Sequence, residues 1–300
     1  MSKIRVAIIG FGNVGKHVLD AVLGAPDMEL AGIVRREGAN NPPVHGVPYI
    51  DENTDISELG HVDVAILCKP TRQIEEYAVK YLSRGIHTVD SFDIHENIVS
   101  LGDTLRKVGQ EGKAVAIIAA GWDPGSDSVL RALFEAAAPV GITYTNFGPG
   151  MSMGHSVVVK SKPGVADALS LTLPLGAGVH RRMVYVQLEP GADIEQVTQT
   201  IKTDAYFSTS ETHVIQVPDV SVLADAGHGV SMVRKGKSAA ADNQIFTFDM
   251  RINNPALTAQ VMVSCARAAT RQQPGAYTMI EIPMIDMLPG DRSELIARLV

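Results

Sequence analysis

Three glycines directly after an apolar run are the first residues whose spacing implies chemistry. The run Ile4–Ile9 is rich in β-branched residues, and Gly10-x-Gly12-x-x-Gly15 follows it. Such a run suits a strand buried on both faces of a parallel sheet, and the next residues have helical spacing. In a strand–turn–helix of this kind, the first glycine makes the turn and the second admits a pyrophosphate. The third lets the helix pack on the strand. We therefore expect a dinucleotide site, the alternative being an ordinary turn in an α/β fold.

Two arginines mark the end of the second predicted strand. In NAD-binding units this position usually carries an acidic residue that holds the ribose 2′-hydroxyl. Arg35 and Arg36 stand here instead. Their guanidinium groups would attract a 2′-phosphate, whereas a carboxylate would repel it. The pair predicts NADP as the cofactor, and a solvated basic loop is the alternative.

Polar side chains follow three later strand-like runs. Lys69 and Thr71 come after the run 62–67, and they either line the cofactor or form a plain strand-end turn, with Thr71 as a helix N-cap. Asp93 and Asp123 follow the next two runs. Ligands gather at the carboxyl ends of parallel strands, so these carboxylates are candidates for the site. Taken singly, each could merely cap the helix that follows.

The elements that must position these residues change character halfway along the chain. Strand-like and helical runs alternate over the first 120 residues, which predicts a Rossmann-type doubly wound parallel sheet. Strand-like runs then dominate from 142 to 252, with one helix at 194–203, which predicts an α+β domain with a mixed sheet. We expect the glycine-rich stretch 148–156 to be a loop whose N–H groups approach a ligand. A long helix (256–271), a strand (277–285) and a short helix (292–299) complete the prediction.

Composition excludes several kinds of function. The net charge of −7 argues against nucleic acid as the main partner, and no apolar segment reaches membrane-spanning length. No charged start with a long apolar run opens the chain, so a signal peptide is not expected. Cys68 and Cys265 form no CxxC pattern, and the histidines lack the spacing of metal motifs. We therefore expect a cytoplasmic protein with no metal and no membrane partner, and Cys265 as a buried, inert thiol.

Seven motifs together carry a resemblance to a known family. GFGNVG, VRR, VDSFDIH, AGWDPGSDS, TNFGPGMSMGHS, DAGHG and MRINNPALTAQ occur in this order. In these motifs, and over essentially its full length, the sequence resembles the meso-diaminopimelate D-dehydrogenases. The resemblance implies reversible, NADP-dependent oxidative deamination of the D-centre of meso-2,6-diaminopimelate, giving L-2-amino-6-oxopimelate (which cyclises to tetrahydrodipicolinate) and ammonia. It also implies a role in lysine and cell-wall precursor synthesis, a homodimer and hinge closure over ligands.

The resemblance also assigns residues and domains. The cofactor residues that it implies, with Gly10 added from the glycine turn, are Phe11, Gly12, Asn13, Val14, Arg35, Arg36, Cys68, Lys69, Pro70, Thr71, Ser91, Phe92, Asp93, Trp122, Asp123, Pro124, Gly125 and Ser126. The substrate residues are Asp93, Trp122, Asp123, Phe147, Met153, Gly154, Thr172, Arg182, His228 and Asn254. The expected domains are 1–121 for the dinucleotide, with the C-terminal stretch 286–300 returning to pack on it, 122–150 with 254–285 for dimerisation and connection, and 151–253 for the substrate.

The substrate's charges suggest roles for these residues. Diaminopimelate carries two carboxylates and two ammonium groups, so Asp93 and Asp123 can accept hydrogen bonds from an ammonium. Our hypothesis is that Arg182, Thr172 and His228 hold the distal L-end. Backbone N–H groups at 153–154 could hold the other carboxylate. Asp93 or Asp123 would orient the water that attacks the iminium, and the sequence does not decide between them.

Two alternative functions would use the same first domain. Another NADP-dependent dehydrogenase of aspartate-family metabolism would lack the GWDPG and NFGPGMSMGHS motifs. A non-catalytic NADP-sensing protein would need neither paired carboxylates nor an arginine like Arg182, and it would bind NADPH without turnover.

Overall fold

The computed structural model describes residues 3–36, 44, 46–223 and 227–300. The chain divides into two compact units. Unit 1 comprises Met1–Ala132 and Pro255–Val300, and unit 2 comprises Leu133–Asn254. No helix in the described part of the chain is both long enough and apolar enough to cross a membrane.

Strands and helices alternate in unit 1 as expected, whereas strands dominate unit 2. The strands among the described residues are β1 (Ile4–Ile9), β2 (Met28–Arg35), β3 (Tyr49–Asp51), β4 (Val64–Leu67), β5 (His87–Asp90), β6 (Val115–Ile117), β7 (Val140–Phe147), β8 (Gly150–Met151), β9 (Val165–Gly176), β10 (Val179–Leu188), β11 (Glu211–Gln216), β12 (His228–Ser238), β13 (Ala241–Ile252) and β14 (Gly275–Tyr277). The α-helices are α1 (Asn13–Gly24), α2 (Ile74–Leu82), α3 (Ile98–Gly112), α4 (Ser126–Ala137), α5 (Met153–Lys160), α6 (Ile194–Lys202), α7 (Asn254–Ala269) and α8 (Arg292–Leu299).

The sheet of unit 1 is parallel throughout, in the order β14–β6–β5–β4–β1–β2–β3. The chain leaves β1 towards β2 and β3 on one side, then returns to build β4, β5 and β6 on the other. In doubly wound sheets the ligand crevice lies at the carboxyl ends of the strands where the order reverses. Here that position is between β1 and β4. The predicted fold class is confirmed.

Both faces of this sheet are covered, which explains the continuous apolar runs in its strands. Val6 and Ile8 of β1 pack in one buried cluster with residues of α1 and α7. Ala7 and Ile9 point the other way and pack with residues of α2 and α3. The alternation of side chains along a strand therefore places β1 at the centre of both cores.

Unit 2 contains two sheets. The order β11–β10–β9–β8 is mixed, because β10 and β11 are parallel while β9 pairs antiparallel with both neighbours. A separate antiparallel sheet has the order β13–β12–β7. The mixed sheet was predicted, but its division from a second sheet was not.

Three local predictions were wrong. The strand 277–285 ends at Tyr277, because Thr278 and Glu281 form a capping box that starts a 3-10 turn. Thr71 is the first residue of a 3-10 turn rather than a helix N-cap. The stretch 148–156 is not a loop throughout, since α5 begins at Met153.

The domain boundaries also differ from the expected ones. Residues 254–285 were expected to belong with 122–150, but all except the first lie in unit 1; their role in connection or dimerisation stays a prediction. The reason is that β14 extends the parallel sheet beside β6, and α7 supplies buried residues to the core of that unit. The C-terminal helix α8 lies in unit 1 as well.

Candidate functional site

The glycine turn after β1 has the shape that a pyrophosphate site requires. Gly10 has φ +99°, and a Cβ there would clash with the carbonyl oxygen of Cys68. A Cβ on Gly15 would clash with the carbonyl oxygen of Gly10. Gly12, which precedes α1, has nothing within 4 Å of the Cβ position, and no side chain caps this helix. Packing explains why Gly10 and Gly15 are glycines. The open space beside Gly12 and the N–H groups at the start of α1 instead fit a phosphate.

A cavity of about 470 Å³ opens at this turn in unit 1. Its wall brings together the turn, the end of β2 and the start of the segment after β4. The lining residues are Gly10, Phe11, Gly12, Arg35, Arg36, Glu52, Cys68, Lys69, Pro70, Gln73 and Tyr77. Most of these were predicted cofactor residues; Glu52, Gln73 and Tyr77 were not. Three cationic side chains therefore face one carboxylate, which leaves the cavity attractive to anions.

Glu52 is held in a compact network inside this cavity. It forms an ion pair with Lys69 and accepts a hydrogen bond from the hydroxyl of Tyr77 at 2.9 Å. The Lys69 Nζ atom also lies 4.4 Å from the centre of the Tyr77 ring. Burial opposes ionisation of Glu52, but the hydrogen bonds from Lys69 and Tyr77 outweigh it and lower the pKa of this carboxyl. The N–H of Glu52 donates to the carbonyl of Arg35 at 3.1 Å, which ties the network to the arginine pair.

The ends of β5 and β6 carry the predicted acidic residues, and a third aspartate joins these ends. Thr71 donates a hydrogen bond to Asp93. The buried Asp90 accepts one from the N–H of Phe92 at 2.9 Å and one from the N–H of Ala119 at 3.2 Å. Burial raises its pKa to about 6. Asp90 therefore fixes the two segments that lead to Asp93 and Asp123, a role that the sequence analysis missed.

The loop of Asp123 folds back on the first turn of α4. The N–H of Gly121 donates to the carbonyl of Pro124, and the N–H of Ser126 donates to the carbonyl of Gly121, each at 3.1 Å. Gly125 has φ +147°, and a Cβ there would clash with the carbonyl oxygen of Gly121. The pKa of Asp123 is raised to about 7; burial is the largest cause, and the negative charge of Asp127 is the next.

The remaining predicted cofactor residues lie around these elements. Asn13 and Val14 open α1, and the side chains of Phe92 and Trp122 are buried. Ser91 precedes Phe92, while Pro124 and Gly125 line a separate cavity of about 180 Å³ in unit 1. Their contacts with a cofactor stay predictions.

In unit 2, the predicted anion-binding residues come together on neighbouring strands. Thr172 of β9 lies directly opposite Arg182 of β10, and Arg182 donates a hydrogen bond to its hydroxyl. The Nε atom of Arg182 is buried and has no hydrogen-bond partner among the residues that the structure describes. Burial lowers the pKa of this guanidinium. A desolvated guanidinium with an unused donor is well suited to bind a carboxylate.

Two histidines near Arg182 are held neutral. Burial, and then the positive charge of Arg182, lowers the pKa of both His155 and His228 to about 4. His155 is fixed by Ser152 at 2.7 Å and by the carbonyl of Tyr206 at 3.1 Å. At neutral pH, Arg182 is thus the cation of this cluster, and the imidazoles act as hydrogen-bonding groups.

The glycine-rich segment after β7 connects these strands. The N–H of Gly148 donates to the carbonyl of Gly229, and the N–H of Met151 donates to the carbonyl of Gly227, each at 2.6 Å. Phe147 pairs with Val230, two residues beyond His228. The structure therefore brings Phe147, Thr172, Arg182 and His228 together in unit 2.

Three further predicted substrate residues lie at helix starts. Met153 and Gly154 are in the first turn of α5, where N–H groups lack helical partners and favour an anion. The side chain of Met153 lies outside the described part of the structure. Asn254 is the first residue of α7. Among the described residues, no three His, Cys, Asp or Glu side chains are placed to hold a metal ion.

Comparison with known proteins gives consistent results. The model for the oxidoreductase family with an NAD-binding Rossmann fold matches residues 4–89, and that for the diaminopimelic acid dehydrogenase C-terminal domain matches residues 121–179. A meso-diaminopimelate D-dehydrogenase of Bacteroides fragilis is 59% identical, with 100% of both chains covered. The solved structure of Corynebacterium glutamicum DAP dehydrogenase in complex with DAP matches with a TM-score of 0.89 and 30% identity, covering 100% of both chains. An engineered D-amino acid dehydrogenase bound to NADP+ matches with a TM-score of 0.85 and 28% identity, again over 100% of both chains.

The parallel sheet, the glycine turn and the anion-attracting cavity define an oxidoreductase with an NAD(P)-binding Rossmann domain. The full-length identity then narrows this class to one that acts on amino acids. The chain belongs to the meso-diaminopimelate D-dehydrogenase family, as the sequence motifs indicated.

Proposed function

We propose that the protein catalyses the reversible, NADP-dependent oxidative deamination of the D-centre of meso-2,6-diaminopimelate, giving L-2-amino-6-oxopimelate (in equilibrium with tetrahydrodipicolinate) and ammonia. Family membership supports this activity, and the observation that carries the substrate assignment is the Arg182–Thr172 pair. A buried guanidinium with an unused donor needs an anionic ligand to satisfy it. A substrate carboxylate is such a ligand.

The cavity of unit 1 supports NADP as the cofactor. The N–H groups that follow Gly12 would hold the pyrophosphate, and Arg35 with Arg36 would hold the 2′-phosphate. When bound, the nicotinamide supplies the hydride acceptor. Lys69 lines the same cavity but forms an ion pair with Glu52. We therefore assign the 2′-phosphate to the two arginines and not to Lys69.

The charges of the predicted substrate residues suit a molecule with two carboxylates and two ammonium groups. In this proposal, Arg182, Thr172 and His228 hold the distal L-end, while the α5 N-terminus at Gly154 takes a carboxylate. Asp93 and Asp123 accept hydrogen bonds from the D-ammonium. Trp122, Phe147, Met153 and Asn254 complete the proposed contacts. The fixed L-end would present only the hydrogen of the D-carbon for transfer, because inverting that centre turns the hydrogen away.

The reaction also requires removal of a proton from the substrate ammonium and placement of a water molecule. Carbon releases hydride readily only when the neighbouring nitrogen has a free electron pair, so the ammonium must lose a proton first. Carboxylates beside an ammonium stabilise its charged form, which helps binding but opposes this loss. Asp93 or Asp123 would then orient the water that replaces nitrogen. We therefore expect the oxidative rate to rise towards alkaline pH.

The direct test is NADP+ reduction with meso-, L,L- and D,D-diaminopimelate supplied separately. We expect turnover with the meso isomer and none with the L,L isomer. Arg182→Met should raise KM for the meso isomer by about 100-fold, since a charged hydrogen-bonded pair contributes about 3 kcal/mol. The affinity for NADPH should not change. Binding of NADPH without turnover of any isomer would favour a sensing protein, and turnover of another aspartate-family substrate alone would favour a different dehydrogenase.

We also propose a homodimer. Val140 and Ile142 of β7 and Ile245 of β13 are 68%, 52% and 59% exposed, and both isoleucines pair with Lys235 of β12. This face of the three-stranded sheet, which exposes apolar side chains on both sides of Lys235, would be covered by a second copy. Ile142→Glu should halve the mass measured by sedimentation, whereas Val99→Glu on the exposed surface of α3 should not.

The proposed setting is the cytoplasm, where the reaction would serve lysine and cell-wall precursor synthesis. Cys68 and Cys265 are both unbridged, as expected in a reducing compartment. Burial raises the pKa of both thiols to about 12. A labelled copy of the protein in its host should co-fractionate with soluble cytoplasmic enzymes.

A further inference from the structure

Asp127 is a fully buried carboxylate of unit 1 that lies outside the set of proposed substrate and cofactor residues. It lies in the first turn of α4 with an exposed fraction of 0%. Arg131, one turn later, donates to it at 2.8 Å, and the hydroxyl of Ser128 donates at 3.3 Å. Its N–H donates to the carbonyl of Trp122 at 3.0 Å, so the helix start is fixed against the loop that carries Asp123. A first-turn acid can simply stabilise a helix, but such acids are ordinarily exposed.

Because the start of α4 is fixed against the Asp123 loop, Asp127 is a close neighbour of Asp123, and a side-chain hydrogen bond with Asp127 is one of the causes that raise the pKa of Asp123. Two carboxyl groups can hydrogen-bond to each other only when one of them carries a proton. The charged groups of unit 1 that act on Asp123 are Asp127 and Arg131 on α4 and Asp93 at the end of β5. Burial and the two aspartates favour the protonated form of Asp123, while Arg131 opposes it, and the resulting pKa is about 7.

We propose that Asp127 is a positioning residue that holds the proton of Asp123 in a shared hydrogen bond, and that Arg131 balances the charge of the pair. This inference deepens the proposed function and rests on it. In the oxidative direction, an N–H bond of the substrate ammonium breaks and its electron pair stays on nitrogen. The proton forms an O–H bond on Asp123, next to Asp127, and is then released to solvent. In the reductive direction the same proton returns to nitrogen. No oxidant or reductant enters this exchange.

The protonation state of the Asp123–Asp127 pair sets the sign of the pH dependence. A pair that already holds its proton cannot readily accept another, so oxidation needs the deprotonated pair. The value of kcat/KM for oxidation should rise through an apparent pKa near that of Asp123 in the free enzyme. Reductive amination needs the proton and should lose rate over the same interval.

The test compares variants that change this charge in opposite directions. Asp127→Asn removes a negative charge, and its amide can donate to the Asp123 carboxylate, so the apparent pKa should fall by about one unit or more. Arg131→Gln removes the opposing charge, so the apparent pKa should rise by about one unit. Asp103→Asn, an equal charge change on the exposed surface of α3, should leave the profile unchanged.

A purely structural role predicts a different result. It would lower kcat in both variants without moving the apparent pKa, or would move it in the same direction in both; either result overturns the proposal. If Asp127→Asn does not fold, Arg131→Gln alone decides.

Carboxyl carbon NMR of the free enzyme separates this inference from the proposed function. Asp123, assigned with Asp123→Asn, should titrate near pH 7, and titration below pH 5 would overturn the proposal even for an active enzyme. Inactivity towards meso-diaminopimelate would instead refute the proposed function, while the titration would still report whether Asp127 and Arg131 control the proton on Asp123.

Discussion

Arg35 and Arg36 offer the sharpest test of the cofactor assignment, because their surroundings differ. The guanidinium carbon of Arg35 lies 4.6 Å from the centre of the Tyr49 ring, so its side chain is held in place. Arg36 is exposed and acts electrostatically on Glu52. Both line the same cavity as the glycine turn. A pre-positioned guanidinium loses less side-chain entropy on binding, so Arg35 should contribute more than Arg36 to binding of a 2′-phosphate.

The expected magnitudes follow from these environments. A hydrogen bond to a charged group contributes about 1.5–3 kcal/mol, with exposed groups at the low end. Arg36→Ala should therefore raise KM for NADP+ by about tenfold, and Arg35→Ala by about 100-fold. NAD+ lacks the 2′-phosphate, so its KM should change by less than about threefold in Arg36→Ala. Arg35→Ala also removes the contact with Tyr49, so it should raise KM for NAD+ slightly more than Arg36→Ala does.

The assay measures initial rates with each cofactor at saturating meso-diaminopimelate, together with NADPH binding by fluorescence. Arg84→Ala is a matched control, because Arg84 forms an exposed ion pair with Asp55 in the same unit. It should leave both KM values unchanged. Equal losses for NADP+ and NAD+ in Arg36→Ala, or no loss for NADP+ in the double variant, would refute the reasoning.

Three further outcomes are expected. Gly12→Ala should leave the free energy of unfolding within about 0.5 kcal/mol of wild type but weaken NADPH binding, whereas Gly10→Ala should lose about 1–3 kcal/mol of stability, as thermal unfolding and fluorescence titration will show. Arg267→Met should lose about 3 kcal/mol, because buried Arg267 donates to Asp27 at 2.7 Å. Hydrogen bonds from Arg267 lower the pKa of Asp27. The contribution of this pair to the free energy of unfolding is therefore present at neutral pH and lost as the pH falls below about 4. Denaturant unfolding of wild type and Arg267→Met at pH 7 and pH 3 tests both statements. Arg182→Lys should keep the charge yet recover only part of the substrate affinity lost in Arg182→Met, because an ammonium cannot bind a carboxylate bidentately; KM values and NADPH fluorescence measure this.

The sequence predicted the parts of the site that depend on local pattern. The turn around Gly12 was predicted because a β-branched run, three glycines and a helical period occur in immediate succession. Asp93 and Asp123 were identified because each follows a buried strand, and parallel strands end at one edge of a sheet. In both cases a short stretch of sequence determines where the backbone goes.

Residues whose roles depend on distant partners were missed. Glu52 lies just after the edge strand β3, in a polar stretch without periodicity, and its importance comes from Lys69 and Tyr77. Asp90 was not singled out, because its role comes from a hydrogen bond with Ala119, 29 residues away in the sequence. A polar residue at the carboxyl end of a parallel strand was the available signal for both.

The helix α5 was missed for a different reason. Three consecutive valines follow His155 and Ser156, and β-branched runs favour strands in isolation. Tertiary packing decides otherwise, because Val159 is fully buried in the core of unit 2. The hydroxyl of Ser156 also accepts a hydrogen bond from the N–H of Ser170 in β9. Neither contact can be read from the glycine-rich sequence before the helix.

Burial shapes the charge of both units in the same way. In unit 2, burial keeps His155 and His228 neutral beside Arg182. A bound carboxylate would therefore interact with the single positive charge of Arg182 and with two neutral imidazoles. In unit 1, burial favours the protonated form of Asp123, which relieves repulsion from nearby carboxylates. Ionised together, closely spaced carboxylates would destabilise the fold, and their combined field would hold the substrate nitrogen in its charged, unreactive form. A proton shared with Asp127 moderates both effects. The same acidic group can therefore bind an ammonium and still exchange a proton with it near neutral pH.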